Sequence, residues 1–158
     1  MADVFTQAKR SEVMSLIRSK GNAATELRMA KLLREHRITG WRRQVSLPFK
    51  VPSSRVNRRR SSGRVRPDFV FRRERTAVFV DGCYWHGCPR HYRRPKGKRK
   101  FWDAKIERNQ TRDRLVTRAL RKAGWKVLRI WECALSKKRQ TATLARLRRA
   151  LGRTPDAG

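Results

Sequence analysis

Acidic residues are scarce in this chain: 12 Asp and Glu stand against 43 Lys and Arg in 158 residues, a formal net charge of +31. Such an imbalance excludes the acidic or evenly mixed surface of an ordinary soluble protein. Like charges at this density repel one another and call for a polyanion to neutralise them. Nucleic acid meets that need, because each neutralised phosphate releases a counterion and adds affinity without any reading of sequence. Long hydrophobic runs are lacking too. No stretch reaches the roughly 20 apolar residues that cross a bilayer, and the start, MADVFTQAKRSEVM, has no signal-peptide core, so no membrane partner is expected and the protein is expected inside the cell. Cysteine is limited to three residues, too few for a disulfide framework in a reducing compartment, so the thiols need another purpose.

What is present suffices for one domain. The chain is 38% apolar, with five Trp and six Phe to supply the bulk of a modest core. Residues 1–24 read as an N-terminal arm able to touch DNA, punctuated by Lys20-Gly21-Asn22. A helix is expected over TELRMAKLLREHRI, with Thr25 as N-cap and Leu27, Ala30, Leu32 and Leu33 on one apolar face. Trp41 to Val45 suits a first strand. Residues 48–66, rich in Pro, Ser, Gly and Arg, read as a solvated basic loop inserted in the domain. The runs VRPDFVF (65–71) and TAVFVDG (76–82) suit strands buried on both faces, with Arg72 to Arg75 as their turn. A long helix is expected from about Phe101 to Ala123, stopped by Gly124, then a strand at WKVLRIWE (125–132) and a closing helix at 140–151. This order predicts an α/β fold, a mixed β-sheet flanked by helices, as a single domain over 25–151 with a disordered tail at 152–158.

The three cysteines fall in a telling place. Cys83, Cys88 and His91 share the segment C-YWHG-C-PR-H, and Cys133 follows the last strand. Three soft thiolates and an imidazole make a closed tetrahedral zinc shell, whose metal is structural and adds its binding energy to folding. The plainer alternative is that one or more Cys are small buried hydrophobes. The few acids are equally conspicuous where the setting is apolar. Asp68 lies inside the strand pattern, where a carboxylate is costly unless paired or metal-bound. The next strand presents Asp81 and then His86, and Glu26 sits in the first turn of the first helix. Carboxylates on neighbouring strands can hold Mg²⁺ beside a scissile phosphate while a nearby base takes a proton from water. The alternatives are that Asp68 caps a turn and that His86 competes with His91 for zinc. His36 reads as an ordinary helix residue.

RPDFVF, AVFVDGCYWHGCPRH, FWDAKIERNQTRD and GWKVLRIWECAL, in that order and spacing, resemble the very short patch repair endonucleases, DNA mismatch endonucleases on the PD-(D/E)xK scaffold. The resemblance covers roughly residues 8–135 and is carried by VDGCYWHGCP followed by WEC far more than by P-D alone. It implies a restriction-endonuclease-like fold, a structural Zn²⁺ on Cys83, Cys88, His91 and Cys133, and a catalytic Mg²⁺ on Asp68. His86 is similar to the family histidine beside the water nucleophile, and Glu26 to the family's helix glutamate. The implied substrate is double-stranded DNA, nicked 5′ to the thymine of a T·G pair left by deamination of 5-methylcytosine. A functional link to a cytosine-5 DNA methyltransferase, a monomeric state and a cytoplasmic, nucleoid-associated location of prokaryotic type go with it. Two departures stand out: Asp81 occupies a position where some members carry a second histidine, and the 48–66 loop exceeds the family's short turn.

A mismatch is a weak point in base stacking, and aromatic wedges exploit it. Tyr84 and Trp85, beside His86, suit that task. On the long helix Trp102, Lys105, Ile106 and Asn109 share a face, so Trp102 could insert while Lys105 and Asn109 reach base edges. The alternative is that Trp102 and Ile106 are core and Lys105 is solvated. Arg58, Arg59, Arg60, Arg93, Arg94 and the basic run Lys96 to Lys100 suit phosphates. Three other readings fit parts of this pattern: a nuclease on the same scaffold without mismatch specificity, a non-catalytic zinc-containing DNA-binding module, and a structural RNA-binding protein, for which the catalytic spacing would be accidental.

Overall fold

The computed structural model describes residues 25–51 and 62–153, which fall into two compact units dividing after Ile38. The arm expected at 1–24, the centre of the basic loop (52–61) and the tail from 154 lie outside the described residues.

In the first unit, residues 25–35 form a helix, α1. Thr25 is itself helical, so it is not the N-cap expected there. Met29, Ala30, Leu32 and Leu33 are buried, while Leu27, expected on the same face, is 56% exposed. The helix closes with Arg37 in the left-handed region at φ 51° and hydrogen bonds from Ile38 N to Leu33 O (2.8 Å) and Arg37 N to Arg34 O (3.1 Å). That double bond pattern satisfies the last carbonyls of the helix.

The second unit is built on a four-stranded mixed sheet. Its strands are β1 (Trp41–Arg42), β4 (Phe69–Phe71), β5 (Thr76–Asp81) and β6 (Lys126–Trp131), in that spatial order. β1 and β4 pair antiparallel, as do β4 and β5, whereas β5 and β6 run parallel. A parallel pair needs a crossover, and α2 (Arg99–Lys122) supplies it. Gly124 ends α2 as expected: at φ 85° it lets Trp125 N reach Leu120 O and its own N reach Arg121 O, both at 3.0 Å. Arg75, in the β4–β5 turn, donates to Ala123 O (2.8 Å) and Gly124 O (3.2 Å), tying that turn to the helix end. α3 (Gln140–Ala150) closes the unit. No helix among the described residues is long and apolar enough to cross a membrane.

Three sequence expectations about the strands need correction. The basic loop is not irregular at its ends, because β2 (Leu47–Lys50) and β3 (Ser62–Val65) pair antiparallel across it. VRPDFVF is not one strand but the end of β3 and the whole of β4, broken over Arg66–Asp68. Pro67 explains the break, having no N–H to give to a ladder. The first strand is also shorter than expected, Trp41–Arg42 instead of Trp41 to Val45.

Strand alternation positions the site. Val70, Ala77, Phe79 and Val127 turn toward α2 and meet Val116 and Leu120, with Leu47 and Val65 of the hairpin completing this core. Each Val, Leu or Phe among them contributes about 1.5–3 kcal/mol through burial. Two residues beyond Phe79 the same face carries Asp81, and two beyond Val127 it carries Arg129. The core face thus becomes charged at the end of the sheet where β5 and β6 both finish.

Candidate metal centre and catalytic cluster

The parallel register pairs Asp81 with Trp131. Cys83 and Cys133 each follow two residues later, so the two strands deliver their cysteines to the same end of the sheet. β5 passes through Gly82 into a tight turn in which His86 N bonds Gly82 O (3.2 Å) and Cys88 N bonds Cys83 O (2.9 Å). Gly87 makes this turn at φ 66°, and a Cβ there would stand 2.7 Å from the Gln110 amide nitrogen. β6 runs into a short 3-10 turn, Glu132–Leu135, that holds Cys133. Ligand atoms of Cys83, Cys88, His91 and Cys133 all lie within 4.8 Å of one another. Cys88 Sγ is 3.9 Å from Cys133 Sγ and 3.9 Å from His91 Nδ1. A tetrahedral ion with bonds of about 2.3 Å to sulfur has S–S edges of roughly 3.8 Å, so the Cys88–Cys133 separation already matches a closed shell. Burial disfavours the Cys88 thiolate, yet the Arg90 and His91 backbone N–H groups and the His91 ring bring its pKa down to about 6. Burial pushes the Cys83 thiol up to about 12. The Arg139 guanidinium lies 3.7 Å from Cys133 Sγ, a cation placed beside one of the sulfurs.

A second cluster forms beside it. Ligand atoms of Asp81, His86 and Asp113 also lie within 4.8 Å of one another. His86 Nδ1 is 2.5 Å from Asp113 Oδ2 and 3.8 Å from Asp81 Oδ1. Arg129 joins both acids, reaching Asp81 Oδ1 at 2.7 Å and Asp113 Oδ1 at 3.3 Å. Burial pushes the Asp81 carboxyl above its ordinary value despite the nearby Arg129. Burial also opposes a charge on His86, but the Asp113 hydrogen bond and the field of Asp81 outweigh it, so the ring holds its proton more tightly than usual. Asp113 shifts the other way: against the cost of burial, His86 and Arg129 keep its carboxyl below its ordinary value.

Asp68 is not part of that cluster. Its Oδ2 accepts the Val80 N–H at 2.7 Å, so the carboxylate sits across the ladder from the residue preceding Asp81. A hard carboxylate donor suits Mg²⁺, which takes few protein oxygens and keeps its waters. Glu26 lies in α1, in the other unit, and the role expected for it rests on the resemblance. His36 follows α1 directly, its N bonded to Leu32 O.

The expected DNA-contacting residues converge on one aromatic cluster. Tyr84 stacks edge-on against Trp85 (5.1 Å between ring centroids) and Trp102 (5.6 Å), with Phe101 5.4 Å from Trp102. Lys105 Nζ lies 5.5 Å from the Trp85 ring and 5.7 Å from those of Phe101 and Trp102. Tyr84 is 36% exposed and Phe101 52%, an open apolar surface beside the cluster. Asn109 donates its side-chain amide to Trp85 O (2.8 Å), and Gln110 donates to His86 O (3.2 Å). Both bonds pin the Cys83–Gly87 turn onto α2. Ile106 is buried, in keeping with a core position on that helix face.

Asp113, Arg129 and Phe101 were not singled out from the sequence. A signal for Asp113 existed: it falls in the stripe Ile106, Asn109, Asp113, Val116, Leu120, whose three- and four-residue spacing marks the inward face of α2. Arg129 is likewise the one charge between the apolar residues of VLRIW.

Residues 2–93 match the family model described as DNA mismatch endonuclease Vsr. The chain is 51% identical over 69 residues to the type II nicking enzyme V.NaeI of Lentzea aerocolonigenes, covering 44% of this chain but only 42% of that relative's length. It is 35% identical over 136 residues to the DNA mismatch endonuclease Vsr of Escherichia coli (strain K12), covering 85% of this chain and 76% of the relative. It is 37% identical over 138 residues to the type II nicking enzyme V.XorIIP of Xanthomonas oryzae pv. oryzae, covering 86% and 88% of the two chains. With more than half of its length matched by the family model and most of it aligned with the Escherichia coli endonuclease, the chain belongs to the Vsr family of DNA endonucleases.

Proposed function

We propose that this protein is a divalent-metal-dependent endonuclease that nicks double-stranded DNA 5′ to the thymine of a T·G mismatch, as a monomer on a restriction-endonuclease-like scaffold. The observation that carries the reading is the 2.5 Å contact between His86 Nδ1 and Asp113, set between a Cys₃His cluster and an exposed aromatic surface. With Nδ1–H donated to Asp113, Nε2 of His86 is the atom left to take a proton from an attacking water. Asp113 fixes the ring and stabilises the imidazolium that this transfer creates. Asp81, charged or protonated, lines the other side of the ring. Mg²⁺ held by Asp68 would neutralise charge on the scissile phosphate. The phosphorus–O3′ bond breaks as the water oxygen adds, and the departing O3′ takes a proton from solvent, leaving a 5′-phosphate and a 3′-hydroxyl. Zn²⁺ in the Cys₃His shell would be structural, fixing the turn that carries Tyr84, Trp85 and His86.

Substrate choice follows from the aromatic surface. Tyr84, Trp85 and Trp102 would stack on bases where a T·G pair weakens the duplex, with Lys105 close by for phosphate or base edges. The exposed run Lys96 to Lys100 and Arg93 and Arg94 would track the backbone. The thymine so recognised arises by deamination of 5-methylcytosine, which links the protein to a cytosine-5 DNA methyltransferase. Stacking on one aromatic ring is worth about 1–3 kcal/mol per base, so Tyr84→Ala should cut the preference for T·G over T·A duplexes by roughly 10- to 100-fold. Competition nicking of the two duplexes measures this, and an undiminished preference would remove Tyr84 from mismatch reading.

Relatives such as V.NaeI and V.XorIIP carry the name type II nicking enzyme, which specifies nicking but no mismatch, so a second reading is a nicking enzyme without mismatch specificity. Strand-specific nicking of a duplex with one T·G pair, beside T·A and C·G controls, separates the two.

A further inference from the structure

We propose that Arg129 is a positioning residue for the nicking reaction: its guanidinium clamps Asp81 and Asp113, the two acids that flank His86, and is the resident cation of that cluster. The inference rests on the nuclease reading above and extends it to a residue of β6 that the reading does not use.

Arg129 stands among Val127, Leu128 and Ile130, all buried, on the face that carries the α2-facing core. A guanidinium in such a strand is costly unless its donors are used. They are used. Nε donates to Thr117 Oγ1 at 3.1 Å, one terminal nitrogen reaches Asp81 Oδ1 at 2.7 Å, and the other reaches Asp113 Oδ1 at 3.3 Å. The guanidinium also lies 4.5 Å from the centre of the Phe79 ring, which supports a flat cation from below. The planar fork of Arg suits this three-way contact in a way a Lys ammonium cannot match.

The two carboxylates need such a partner. Asp81, His86 and Asp113 are grouped as closely as metal ligands, and two anions at that separation repel. Arg129 already takes Oδ1 of each, so a protein cation bridges the two acids. The oxygens of Asp113 are divided: Oδ1 faces Arg129 and Oδ2 faces His86. Held at two points, the carboxylate cannot swing, and the imidazole it orients cannot either. Losing the clamp therefore misaims His86 without touching the surface that binds DNA.

The test uses Arg129→Met, Arg129→Lys and the double variant Asp81→Asn/Arg129→Met. Single-turnover nicking of a T·G duplex, DNA Kd and thermal unfolding are measured for each. Misplacing a catalytic group by about 1 Å costs about 10²-fold, so Arg129→Met should lose roughly that factor in rate while Kd stays within about twofold. Arg129→Lys should fall between it and the parent. The double variant should recover about tenfold over Arg129→Met, because the acid left unpaired has been neutralised. A rate near the parent's in Arg129→Met, a loss confined to Kd, or losses that simply multiply in the double variant would each overturn the clamp. Should Arg129→Met fail to fold, Arg129→Lys decides alone: a slower rate at unchanged Kd supports the clamp, and an unchanged rate overturns it. A parent that nicks no duplex sinks the nuclease reading instead. The clamp is then judged by unfolding, where Arg129→Met should lower Tm more with Asp81 present than with Asn there, and equal drops overturn it.

Discussion

Asp68→Asn should lower nicking of a T·G duplex by on the order of 10³-fold while the protein melts almost as the parent does. The substitution is chosen for what it preserves. Asp68 Oδ2 accepts the Val80 N–H at 2.7 Å across the start of the β4–β5 ladder, and the amide oxygen of Asn can accept the same bond. Deleting the side chain would leave that N–H unsatisfied, at a cost of about 1–3 kcal/mol, and confuse structure with chemistry. Asn instead keeps that acceptor and removes the charge, and with it most of the attraction for a hard divalent cation. A large rate loss with intact folding therefore assigns Asp68 to the metal. Full activity in Asp68→Asn would show that the role of Asp68 is structural and that it does not hold the metal. Single-turnover nicking across a Mg²⁺ titration, with a parallel melt, reads both properties.

Cys133→Ser should strip the structural metal and unfold the second unit. The Cys₃His shell joins the turn after β5 to the turn after β6, tying together points fifty residues apart in the chain. Structural zinc contributes about 10–16 kcal/mol of apparent binding energy in small metal-folded peptides, as much as the whole net stability of a typical domain, about 5–15 kcal/mol. The demand is greater here because a net charge of +31 works against compaction. Three thiolates around a divalent ion leave a net negative charge at the shell, which suits Arg139 at 3.7 Å from Cys133 Sγ. If Cys133 were a small apolar filler, Cys133→Ala would be mild and the metal would be irrelevant. The zinc account requires both Ala and Ser variants to lose bound metal and melt far below the parent. Elemental analysis of the purified protein and circular-dichroism melts check it, and a variant that melts like the parent contradicts it.

The Cys₃His cluster was legible because thiols and histidines are rare in this chain and gather where they occur. Thr76–Asp81 and Lys126–Trp131 were legible because β-branched and aromatic runs of that length, bounded by turns, have few other uses. The helix end at Gly124 followed from the one residue type that tolerates φ 85° without strain. The β2–β3 hairpin was hidden: Arg64 and Ser62 on one strand and Pro48 and Lys50 on the other read as solvated loop, and only the pairing across residues 51–61 makes them strands. Asp113 and Arg129 escaped for a related reason. On a helix and a strand dense in Arg and Lys, a charge normally faces water, and nothing local marks an ion pair between β5, α2 and β6. Their stripe positions were visible, but their partners are 16 to 48 residues away, and only the fold brings them together.

The most direct measurement is nicking of a strand-labelled duplex with a single T·G pair in the context of a cytosine-methylation site, run beside T·A and C·G duplexes, with and without Mg²⁺. The account predicts one cut, 5′ to the mispaired thymine, in the T·G duplex alone and only with the divalent ion present. Equal cutting of all three duplexes, or tight binding without any cut, would contradict it.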